Sequence, residues 1–155
     1  MDILDFEKKV ITDFFSKGSG EEFVAAVITI NGQQLLDLIR EHEMPYAKKH
    51  RQKSIAGGYE YQFAEDLYSQ LTDKNARTNP DTVSLLICDG CLLEDCWPLR
   101  TRVKETNDTV IWHGFYNPHR SDERGVGSWD YRNFGPFAFD ERQYKTAVDK
   151  IKSFK

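Results

Sequence analysis

Two periods of apolar spacing run along this chain, and they divide it into segments. In residues 3–16 the apolar side chains Ile3, Leu4, Phe6, Val10, Ile11, Phe14 and Phe15 recur at a helical spacing. That spacing predicts a first helix, with Gly18 and Gly20 ending it. Residues 22–30 finish on Val27-Ile28-Thr29-Ile30, a β-branched run that predicts a strand. Asn31 is placed to cap a helix beginning near Gly32, with Gln34 at the capping-box position. Leu35, Leu36, Leu38 and Ile39 form the stripe of that helix, and Pro45 predicts its end near Glu43. Residues 46–58 read as a basic loop closing on Gly57-Gly58, and Phe63, Leu67 and Leu71 predict a short helix over 62–72.

In the second half the period shortens to two. Val83 to Cys88 is an apolar run that predicts a buried strand. From Leu99 to Glu105 the chain alternates strictly, with Leu99, Thr101 and Val103 on one face and Arg100, Arg102 and Lys104 on the other. Asn107-Asp108 marks a hairpin turn into a strand over Thr109 to Phe115. A polar connection over 117–130, containing Gly125 and Gly127, leads to an extended Pro136–Phe139. Asp140 caps a last helix over 141–152, with Gln143 at the capping-box position. Hairpin-type spacing without repeated βαβ units predicts an α+β fold. The expectation is one domain over 1–155. A mainly antiparallel sheet from Val24–Ile30, Val83–Cys88, Leu99–Glu105 and Thr109–Phe115 carries three or four packed helices.

Composition agrees with this picture. A chain of 155 residues, 39% hydrophobic and 30% charged, is globular in profile and large enough to bury a core without staples. A net charge of −4 argues against general nucleic-acid binding, which calls for a basic stripe. No apolar run approaches the roughly 20 residues that cross a bilayer, and Met1-Asp2-Ile3-Leu4-Asp5-Phe6 lacks the basic start of a secretory signal. Three cysteines within nine residues are odd in number and clustered, so reduced thiols and a cytoplasmic location are expected.

Those cysteines are the first candidate for chemistry. Cys88, Cys91 and Cys96 form a C-x2-C-x4-C pattern in which the first two can turn back onto one ion, with Gly90 easing the turn. A structural zinc site takes four nitrogen or sulfur ligands, and His113 or His119 is the expected fourth. The pattern departs from a zinc knuckle, whose fourth ligand would fall at Thr101. Two other readings stand beside zinc. Free cysteines are often small buried hydrophobes, and C-x2-C also occurs in thiol oxidoreductases. The acids Asp81, Asp89, Glu94 and Asp95 disfavour a reactive thiolate.

The second candidate lies further on. His119-Arg120 follows Asn117-Pro118, a pairing that suits general acid–base work on a phosphate. Eight aromatics fall between Trp112 and Phe139. Such density lines a binding cup or fills a core, and Trp129 and Tyr131, beside the polar connection, are the ones expected to be exposed.

Several short elements carry a resemblance: Ile30-Asn31-Gly32, Ile55-Ala56-Gly57-Gly58-Tyr59, Cys96-Trp97-Pro98-Leu99, Asn117-Pro118-His119-Arg120, Trp129-Asp130-Tyr131 and Phe134-Gly135-Pro136-Phe137-Ala138-Phe139-Asp140. Through them the chain resembles a family of small bacterial proteins with no assigned activity. The resemblance spans most of the chain, implies bacterial origin and compactness, and transfers no catalytic residues.

Two functional expectations follow. The first is a non-enzymatic binding role, such as an immunity or antitoxin protein neutralising a basic toxin domain. Asp81, Asp89, Glu94 and Asp95 would supply the charge and Trp129 and Tyr131 the anchors. The second is a small metal-dependent or phosphate-handling enzyme built on His113, His119 and Arg120.

Overall fold

A computed structural model describes residues 1–12, 22–49, 55–77, 79–94, 96–120 and 129–155. The expected positions Gly18, Gly20, His50, Arg51, Lys53, Asp95, Gly125 and Gly127 lie outside the described residues. The fold is α+β and its sheets are antiparallel. A three-stranded sheet has the order β1 (Leu4–Thr12), β2 (Glu22–Ile30), β3 (Gln33–Gln34). A five-stranded sheet has the order β4 (Tyr59–Tyr61), β5 (Thr82–Cys88), β6 (Leu99–Glu105), β7 (Thr109–Tyr116), β8 (Phe137–Asp140). Among the described residues three α-helices accompany them: α1 (Leu35–Lys49), α2 (Ala64–Thr72) and α3 (Glu141–Lys150).

The first helix expected from sequence is a strand. β1 pairs with β2 in register from Leu4↔Ile30 to Thr12↔Glu22, burying Leu4 and Phe6 while Ile3 and Val10 stay exposed. The side-chain amide of Gln143 on α3 brackets Leu4, accepting from its N–H at 3.0 Å and donating to its carbonyl at 2.5 Å. Gln143 therefore does not complete a capping box. It ties α3 to β1, while Asp140 caps α3 by accepting from the Gln143 N–H at 3.1 Å.

Asn31 is likewise not a helix cap. Asn31 (φ 55) and Gly32 (φ 79) turn β2 back onto β3, as the Asn-Gly pair of a two-residue hairpin does. Helix α1 then starts at Leu35. It also runs through Pro45 to Lys49. Proline removes one helical N–H and disturbs the carbonyl of Glu41, four residues earlier. Both residues are exposed, so water can satisfy what the helix cannot.

The expected single sheet is divided. β2 belongs with β1, and its link to the larger sheet is local: Ala26 N–H donates to Gln62 O at 3.1 Å, and Gln62 N–H to Leu85 O at 3.4 Å. The rest of the β half follows expectation. β5 has six buried residues in succession, and the β6–β7 hairpin closes with Thr106 N–H on Thr109 O at 2.8 Å. Trp112, Phe139 and Tyr144 pack edge to face or tilted at 5.2–6.1 Å, with the Trp112 indole donating to the Tyr144 hydroxyl at 3.1 Å.

Two glycines separate conformational from steric demand. A Cβ on Gly32 meets nothing within 4 Å, whereas one on Gly57 (φ 63) lies 2.6 Å from Arg40 Cβ. In urea titrations Gly32→Ala should cost about 1–2 kcal/mol, the strain of a left-handed alanine. Gly57→Ala should cost clearly more. Equal losses would contradict the close approach of the 55–58 turn to α1.

Candidate functional site

Two surfaces with chemical potential meet on one buried carboxylate. Leu35, Ile39, Glu43 and Ala47, each four residues on, form the fully buried row of α1. Glu43 is therefore a charged group on an apolar stripe, and that position is the signal by which sequence alone could have singled it out. Its carboxylate accepts from the hydroxyls of Tyr59 at 2.6 Å and Tyr131 at 2.7 Å, and from the Gly57 N–H at 2.8 Å. Asn117 Nδ2 donates to the Tyr59 oxygen at 3.0 Å, and Asn117 Oδ1 accepts from the His119 N–H at 2.9 Å. His42, beside Glu43, donates from Nε2 to Asp130 O at 2.7 Å. One carboxylate thus gathers α1, the 55–58 turn, β4, the end of β7 and the 129–134 segment.

The first surface is the thiol loop between β5 and β6. Tyr59 stands opposite Cys88 in the β4–β5 register, so the strand that Glu43 holds also places the first cysteine. The loop turns with Leu92 N–H on Cys88 O at 2.9 Å. Its left-handed residue is Leu92 (φ 55) rather than Gly90. Leu92 is buried and Leu93 is 62% exposed, so the loop is pinned by one leucine and presents the next.

The sulfurs of Cys88, Cys91 and Cys96 lie within 4.8 Å of one another. A tetrahedral ion with bonds of about 2.3 Å to sulfur spaces its ligands about 3.8 Å apart, so three of the four corners are nearly in place. These three cysteines can hold a metal ion. Burial raises the Cys91 pKa, but hydrogen bonds from Cys96 and Cys88 outweigh it and leave that thiol below its ordinary value. Cys96, donating toward Cys91 and Cys88, is pushed up to about 12.

Neither His113 nor His119 falls within this three-sulfur group. The His119 ring lies parallel to that of Trp97, the neighbour of Cys96, with centroids 5.8 Å apart and 3° between the planes. The Arg120 guanidinium sits 4.8 Å above Trp97 and 5.4 Å above Trp129. His113 is on β7, in register with Arg102. The expected acids do not form one patch. Asp81 and Asp89 flank β5 at opposite ends, about 25 Å apart along the strand. Asp89 and Glu94 share the thiol loop, with Glu94 accepting from Gln70 Nε2 at 3.1 Å. Asp66 stands by them, its pKa raised by burial and by Glu94.

The second surface is a groove of about 870 Å³ along the far end of β7, lined by Arg102, His113, Phe115, Trp129, Arg132 and Phe134 among others. Trp129 and Tyr131 are buried, at 2% and 6% exposure, which corrects the expectation that they stand out as anchors. Tyr131 is turned inward by Glu43, and Trp129 by Arg120 and Trp97. Asp130 bonds Arg132 at 2.7 Å, and that guanidinium holds its pKa down near 2.

No family model, curated protein or solved structure matches the chain. No helix among the described residues is long and apolar enough to cross a membrane.

Burial raises the Glu43 pKa, against the lowering effect of the Tyr59, Gly57 and Tyr131 hydrogen bonds. The folded protein then holds this proton more tightly than the unfolded chain, whose carboxyl titrates near 4.3. The contribution to stability is complete below that value and is lost as pH rises through the raised folded pKa. Glu43→Gln cannot ionise. The melting temperature of the native protein minus that of Glu43→Gln should therefore fall from about pH 4 upward and level off above the folded pKa. A difference that grows as pH rises would contradict the raised pKa.

Proposed function

We propose that the protein works by binding, and that a zinc ion on Cys88, Cys91 and Cys96 staples the loop that does it. The observation that carries this reading is the division of labour within the loop: three thiols turn toward one point, while Leu93 and Asp89 stand exposed and half-buried Glu94 adds its charge beside Gln70. Divalent zinc displaces the thiol protons and offsets the repulsion of the thiolates it leaves, and its affinity becomes loop stability. Of the two histidines, His119 is the fourth ligand in this reading, because its ring lies beside Trp97, the residue next to Cys96, and would turn from there to complete the three sulfurs. His113 belongs to the groove.

Two acids and an exposed leucine on a stapled loop suit a basic partner with an apolar notch. A toxin domain of that character is the partner class we propose, with the protein acting as its immunity or antitoxin counterpart. The charge is supplied by the thiol-loop acids, to which Asp81 at the other end of β5 adds nothing.

Protein purified without added metal or chelator should carry about one equivalent of zinc. Cys88→Ser with Cys96→Ser should lower that to under about a tenth. Cobalt(II) should produce a thiolate charge-transfer band that His119→Ala alters and His113→Ala leaves unchanged. In cells, Leu93→Ala with Asp89→Lys and Glu94→Lys should abolish function in a protein that remains folded and metal-loaded. Zinc-free protein with a normal melting temperature would overturn the staple. Full activity of the triple variant would overturn the partner surface.

A further inference from the structure

The groove on β7 is independent of the thiol loop, and its charge is opposite. In a chain of net charge −4, its lining among the described residues holds Arg102, His113 and Arg132, and the one acid among them, Asp130, is bonded to Arg132. A bulge creates this arrangement. The β6–β7 register slips between Arg100↔Tyr116 and Arg102↔His113, and Gly114 in the extra position is left-handed at φ 60. Such bulges redirect neighbouring side chains. Here Phe115 is buried, and Arg102 lies across Gly114, with its Cδ 3.4 Å from where a Cβ would stand. Thr101 stabilises the irregularity by donating to His113 O at 3.1 Å.

Strand alternation continues the charge beyond the groove. Arg102 shares the outward face of β6 with Lys104, which is exposed, and with Arg100. Cations therefore run along the strand beside a wall of aromatic rings, among them Phe115 and Phe134 packed edge to face at 5.0 Å. In that wall the Trp129 indole N–H has no acceptor among the described residues. A buried donor without a partner is rare in a closed core.

We infer that this groove takes an extended acidic segment of a partner protein. Its carboxylates meet Arg102, His113 and Lys104, with Arg132 masking Asp130, and its apolar side chains rest on Tyr116 and Pro136. The length of the cationic row favours a segment over a free anion, which one guanidinium would satisfy. Half-buried Tyr116 and exposed Pro136 beside the cations favour alternating acidic and apolar residues, the side-chain order an extended chain presents.

Fluorescence anisotropy of the full chain with labelled peptides tests the inference. A peptide of alternating glutamate and phenylalanine should bind, its lysine counterpart should not, and added salt should weaken the complex. Arg102→Ala, and separately Arg132→Ala, should reduce affinity about tenfold or more, while Lys48→Ala on α1 leaves it unchanged. Both arginines are exposed, so melting temperatures near that of the native protein are expected and serve as the folding control. Equal binding of the lysine peptide, or unchanged affinity in both arginine variants, would overturn the inference. So would displacement of the peptide by equimolar inorganic phosphate, which would mark a site for any anion.

Discussion

A carboxylate shut away from water must find donors within the protein or give up its charge, and Glu43 finds three. They come from places far apart in the chain: the 55–58 turn, β4 and the 129–134 segment. The protein can satisfy this group only by bringing those places to α1 together. Tyr59 then sets the register of Cys88, Tyr131 sets the inner wall of the groove, and Asn117, bonded to Tyr59, holds the backbone of His119. Both candidate surfaces are thus positioned from one buried point.

The two surfaces differ in what they offer. The thiol loop carries acids and one exposed leucine. The groove carries cations over aromatic rings. Between them Trp97, Arg120 and Trp129 form a continuous stack, with the two indoles edge to face at 6.3 Å. Trp97 follows Cys96 directly, and Trp129 lines the groove. The guanidinium of Arg120 is engaged by two ring faces, where a cation is stabilised by the aromatic quadrupoles. That gives Arg120 a packing role between the two surfaces.

Elements set by adjacent residues are legible in the sequence. β2, β5, the β6–β7 hairpin, α2 and the Asp140 cap of α3 each rest on a few adjacent residues. So does the convergence of the three cysteines, since their spacing requires a tight loop. What was not readable depends on distant partners. Residues 4–12 have a helix-like apolar spacing, and only pairing with β2 and the clamp of Gln143 on Leu4 make them a strand. Asn31-Gly32 satisfies the signatures of both a cap and a hairpin, and the register of β1 with β2 selects the hairpin. Glu43 has partners 14, 16 and 88 residues away, and the same bonds turn Tyr131 inward. For Trp129, the neighbouring polar connection suggested exposure, whereas its ring is covered by Arg120.

The claim on which the functional account rests is that the three thiols are ligands and not bystanders. X-ray absorption at the zinc edge of the protein as purified addresses it directly. Three sulfur neighbours at about 2.3 Å and one nitrogen at about 2.0 Å are expected, with the outer-shell scattering of the imidazole ring lost in His119→Ala. A shell of oxygen and nitrogen alone, or no bound zinc in protein whose thiols are all reduced, would contradict it.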